Sequence, residues 1–72
     1  MPQHRKTHVI PRATVARLLE KAGAHRVSAD AVEAFAEVIL NAAEDISAQA
    51  ARIAKHSGRK TVKEEDIRLA AR

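Results

Sequence analysis

An all-α fold, short helix–long helix–short helix, is what this sequence predicts, and three observations carry the prediction. Alanine fills 16 of 72 positions while Phe35 is the only aromatic residue, a balance that favours helix over strand. Two glycines and two prolines are too few for a set of β-turns. Their positions, Pro2, Pro11, Gly23 and Gly58, divide the chain into a tail and three segments.

The tail comes first. Residues 1–9 open with Met-Pro-Gln-His-Arg-Lys-Thr-His, which has no apolar periodicity and reads as a short basic disordered tail; residues 10–72 form the folded domain. Pro11 suits a first helical turn, because its missing N–H is one that helix starts leave unpaired. Val15, Leu18, Leu19 and Ala22 then recur at helical spacing, and Gly23 ends a short helix over about residues 12–22. Ser28 is an N-cap, followed by Asp30 and Glu33 at the positive end of the helix dipole.

From there to Ser57 there is no Gly or Pro, so about 29 residues can run as one helix roughly 43 Å long. Val32, Phe35, Ile39, Ala43, Ile46, Ala50 and Ile53 lie on its apolar stripe, which Val38, Leu40, Ala42 and Ala54 widen. Two short flanking helices cannot cover so long and wide a stripe, so a second copy is expected to. After Gly58, Thr61-Val62-Lys63-Glu64 has the pattern of a capping box, with Thr61 as cap and Glu64 reaching back. It opens a third helix carrying Ile67, Leu69 and Ala70.

The net charge of +4 is unevenly laid out. Residues 1–28 carry +5, residues 29–51 carry five acids and no Lys or Arg, and residues 52–72 carry +4. A basic–acidic–basic chain whose ends meet would present a one-sided positive surface to a polyanion. Other functions find no residues. Absent cysteine excludes disulfides, thiolate metal sites and cysteine nucleophiles. No apolar run approaches a membrane span, and the N-terminus lacks the apolar core of a signal peptide. His4 and His8 are four apart but have no third ligand. There is no Gly-rich phosphate loop or nucleophile constellation either, so no enzyme, metal or cofactor is expected.

The loop Gly23-Ala24-His25-Arg26-Val27-Ser28 and the run from Ala54 through Gly58-Arg59-Lys60-Thr61-Val62-Lys63-Glu64-Glu65-Asp66-Ile67 resemble the histone fold, and more narrowly the archaeal histones. The likeness covers about residues 10–72. It implies a handshake dimer in which the loop after the first helix lies beside the partner's loop after the second. That pairing would gather the basic ends on one face of the dimer, toward double-stranded DNA and with the acidic middle kept away from it, in the cytoplasm on the chromosome or nucleoid.

The resemblance also implies roles. Arg17 matches an arginine that enters the minor groove, where narrow width concentrates negative potential. Arg26, Lys60 and Thr61 are expected at phosphates, joined by backbone N–H groups at the starts of the second and third helices; Arg12 and Lys63 are weaker candidates. Arg59 and Asp66 are expected to form a salt bridge bracing the second loop. Ile53, His56, Asp66 and Leu69 are expected between dimers, building tetramers or larger assemblies. Imidazole changes charge between about pH 5 and 8, so that association should vary over the same range.

Stacking of successive layers would involve Gly23, Glu37 and Arg68. There the chain departs from the pattern, with the Glu37 and Arg68 signs opposite to the common arrangement and Asn41 in place of an acid. The leading reading is a sequence-tolerant protein that bends and compacts DNA. The alternative is a histone-fold subunit that heterodimerises within a transcription or chromatin complex.

Overall fold

In a computed structural model that describes residues 10–72, three α-helices follow in order: α1 (Arg12–Lys21), α2 (Ala29–His56) and α3 (Glu64–Ala70). The expected tail over residues 1–9, with His4 and His8, lies outside the described residues. Among those described, no helix is long and apolar enough to cross a membrane. The described chain divides into two compact units, residues 10–40 and residues 41–72.

In the first unit, α1 starts at Arg12, where the sequence predicts it. Pro11 is the N-cap, not a first-turn residue, and its carbonyl accepts the Val15 N–H at 3.2 Å. A proline side chain cannot cap, so the helix begins without a side-chain bond there. Its end is well made. The Gly23 N–H donates to the Glu20 carbonyl at 3.0 Å and the Ala24 N–H to the Leu19 carbonyl at 3.1 Å, the paired bonds of a Schellman motif. That motif requires a left-handed residue, and Gly23 sits at φ +120°. Ser28 then caps α2 as its sequence position implies, with Oγ accepting the Ala31 N–H at 3.1 Å. Val15, Val32 and Ala36 form the core of this unit, with Ile10, Ala16, Val27, Phe35 and Ile39 packed against them. Val15 is wholly buried.

The second unit repeats the closure. At the end of α2 the Gly58 N–H reaches the Lys55 carbonyl and the Arg59 N–H reaches the Ala54 carbonyl, both at 2.9 Å. Gly58 takes φ +76°, so this is a second Schellman motif. Ala50 and Ala54 are buried.

Here the structure corrects the capping box expected at Thr61 and Glu64. The N-cap of α3 is Lys63, and the residue reaching back is Asp66, whose Oδ2 accepts the Lys63 N–H at 2.8 Å. Lysine has no acceptor to complete the box, so only its acidic half is made. Glu64 instead accepts a bond from Arg68 Nε at 2.7 Å, one turn along α3.

The apolar stripe of α2 is covered in part. Val32, Ala36, Ala50 and Ala54 are buried, whereas Phe35, Ile39, Ile46 and Ile53 are half-buried and Ala43 is exposed. Val38 is 60% exposed, and Leu18, Val62, Ile67 and Leu69 are also substantially open. For a single chain that is a large apolar debt.

Candidate nucleic-acid interface

The two loops that join the helices have one plan. Each begins at its Schellman glycine and ends at the following N-cap, giving Gly-Ala-His-Arg-Val-Ser at 23–28 and Gly-Arg-Lys-Thr-Val-Lys at 58–63. Their ends are fixed by backbone bonds and caps, so their middles are held out between two anchored points. In the first unit those middle positions hold His25 and Arg26, both exposed; in the second they hold Lys60 and Thr61, also exposed. Arg17 is exposed on α1, two residues past the buried Val15. Lys63 is exposed at the foot of α3.

Arg59 is built differently from its neighbours. Its backbone is held by the Schellman bond to Ala54, which aims the side chain along the loop. Nη1 donates to Asp66 Oδ2 at 2.8 Å, and Nη2 donates to Oδ1 at 2.9 Å. Nη1 also reaches the Thr61 carbonyl at 3.1 Å. Asp66 is 1% exposed, so a charged carboxylate is buried and both its oxygens are occupied. The bidentate guanidinium, then the Lys63 N–H, pull its pKa down from 3.8 to about 2 against the opposing effect of burial. The same hydrogen bonding raises the Arg59 pKa above its ordinary value. Arg59 is thus committed to the loop's own structure and is not held out toward a ligand.

The remaining candidates fall in separate places. Arg12 is ion-paired with Glu33. Ile53 and His56 border an open groove near the end of α2, with Gln49, Arg52 and Ser57; Leu69 is half-exposed. Buried Asp66 presents no carboxylate surface beside them. Gly23 and Glu37 are exposed, and Arg68 is exposed while paired with Glu64. Backbone donors are fewer than the helix starts suggest, because the Ala31 and Lys63 N–H groups are already taken.

Two features were missed in the sequence. The Lys63–Asp66 cap lay hidden behind Thr61–Glu64, which fits the residue preferences better two positions earlier. The Arg12–Glu33 pair joins residues too far apart in the chain to give any local signal.

Known proteins resemble this one over nearly its whole length. The family described as histone-like transcription factor (CBF/NF-Y) and archaeal histone matches residues 8–71. A subunit of the archaeal histone HAN1 from Thermococcus zilligii is 49% identical over 63 residues, covering 88% of this chain and 94% of the relative. Probable archaeal histone 3 of Methanocaldococcus jannaschii is 46% identical over the same extent. With the three helices and their two glycine-closed loops, these matches place the chain in the histone-fold family of archaeal histones and histone-like transcription factors.

Proposed function

We propose that the chain is a DNA-packaging protein that binds duplex DNA as a handshake homodimer, bends it, and assembles further along it on the chromosome. The observation that carries this reading is the loop plan. Two anchored loops hold Arg26, Lys60 and Thr61 outward, while residues 29–51 carry no base at all. In a handshake pair the Arg26 loop of one chain lies beside the Lys60–Thr61 loop of the other, and the exposed apolar residues of α1, α2 and α3 gain cover. Arg17 enters the minor groove, and Lys63 supports the phosphate contacts.

Affinity then comes from counterion release and positioning from DNA deformability. No catalytic step and no cofactor enter. Ile53, His56 and Leu69, at the end of α2 and on α3, join one dimer to the next; Gly23, Glu37 and Arg68 belong to any stacking of layers.

The test is the salt dependence of binding to random-sequence duplex DNA. Removing Arg26 and Lys60 together takes four cations from a dimer, and should flatten the log–log slope by about 3 to 4. An unchanged slope, or a strong preference for one site over random DNA, would overturn the reading. Nuclease digestion of reconstituted complexes should leave fragments in equal steps as dimers are added.

A second reading has two observations in its favour: the matching family includes histone-like transcription factors, and one relative is itself called a subunit. Size-exclusion chromatography separates the two. A homodimer from the purified chain alone supports the first reading; aggregation rescued by a partner supports the second.

A further inference from the structure

The Arg12–Glu33 ion pair is used by neither loop. Arg12 opens α1, and Glu33 lies in the second turn of α2; Nη2 of one meets Oε2 of the other, with side chains 54% and 43% exposed. The pair sits at the edge of the first unit's core. Val15 is one turn along α1 from Arg12, Val32 precedes Glu33, and both belong to the buried cluster. Core packing of α1 on α2 therefore brings the two charges together.

The pair alters the charge available at the basic end. Arg12 is the first base of the described residues and Glu33 one of the five acids of residues 29–51; paired, they cancel. A guanidinium offers the same planar donor fork to a carboxylate as to a phosphate, so the two acceptors compete. Glu33 is tethered beside Arg12 by the fold, so a DNA phosphate reaches the guanidinium only by displacing it.

We propose that Glu33 is a positioning residue that withholds Arg12 from DNA: Arg12 serves as a strut between α1 and α2, and the DNA face works with one cation fewer per chain than the sequence counts. The inference rests on the DNA-binding reading above.

The experiment compares the salt slope of duplex binding for the wild type, Arg12→Gln, Glu33→Gln, Glu33→Asp and the Arg12→Gln/Glu33→Gln double variant. Each is first checked for its helical circular dichroism signal. Arg12→Gln should leave the slope unchanged. Glu33→Gln frees the guanidinium and should steepen the slope by about 0.9 per chain, roughly 1.8 per dimer. The double variant should return to the wild-type slope, and Glu33→Asp, which keeps a carboxylate, should stay near it.

Loss of slope in Arg12→Gln would show Arg12 already on phosphate and overturn the proposal. So would an unchanged slope in Glu33→Gln, or a steepening that survives in the double variant. Failure of the underlying reading looks different: the wild type itself would bind without salt dependence, and removal of Arg26 and Lys60 would change nothing.

Discussion

The loop after α1 and the loop after α2 solve the same problem with opposite halves of one device. Both start at a glycine in positive φ, close the helix behind them with two Schellman bonds, carry valine at the fifth position and end on an N-cap at the sixth. They differ in where the cap's acceptor sits. In the first loop it is on the N-cap itself, Ser28, reaching forward to the Ala31 N–H. In the second it is three residues on, at Asp66, reaching back to the Lys63 N–H. A full capping box would use both. The difference shows why one loop needs a brace. Serine is neutral and exposed, so its cap stands alone. Asp66 is a buried charge, and the chain has to supply Arg59 to satisfy it.

The largest effect should follow from breaking the brace. Asp66→Asn removes the charge that Arg59 and Lys63 are arranged around, and should lower the melting temperature more than any change in the first loop. The pH dependence has a definite sign. Because the folded-state pKa lies near 2, below the ordinary 3.8, the ionised carboxylate stabilises fully above about pH 4 and loses that contribution as pH falls toward 2. The gap between wild type and Asp66→Asn should be constant near neutrality and close across that window. A gap that does not narrow would mean the charge is not what matters. Melting must be compared at one protein concentration, since the proposed dimerisation would contribute.

Smaller effects come from the glycines. A Cβ at either would meet no atom within 4 Å, so the cost of alanine is purely conformational, about 1–2 kcal/mol. Gly23 at φ +120° lies further from the left-handed well open to L-residues than Gly58 at φ +76°. Gly23→Ala should therefore melt lower than Gly58→Ala, and equal losses would refute the distinction.

The smallest change compares the caps. Ser28→Ala should cost about 1 kcal/mol, measurable by urea unfolding. Lys63→Ser supplies the missing acceptor, so it should gain a few tenths to about 1 kcal/mol while weakening DNA binding most at low salt.

The helices were legible because their signals are local. Gly23, Ser28 and Gly58 each determine a boundary from within a few residues, and the structure puts α1, α2 and α3 close to where they point. That Arg26, Lys60 and Thr61 sit in the two loops was legible as well, through the motifs around them. What escaped involves competition or distance. Thr61 and Glu64 satisfy a capping pattern, yet the burial of Asp66 against Arg59 decides the register two residues later. Arg12 and Glu33 meet only because Val15 and Val32 share a core. Ala43 fits the apolar stripe of α2 by spacing but is exposed, since periodicity names a face and not its cover.

The Schellman closures also bear on how such a chain could be altered. They commit the N–H groups of Gly23, Ala24, Gly58 and Arg59 to the fold, and the caps commit those of Ala31 and Lys63. What keeps each loop's shape thus lies at its ends and, in the second loop, also in the Arg59 bond to the Thr61 backbone carbonyl, whereas the side chains proposed to meet DNA occupy the middle. Shape and grip are written in different residues. The central pairs, His25–Arg26 and Lys60–Thr61, form exchangeable inserts through which affinity could be tuned up, tuned down or redirected by substitution while the scaffold stays as it is.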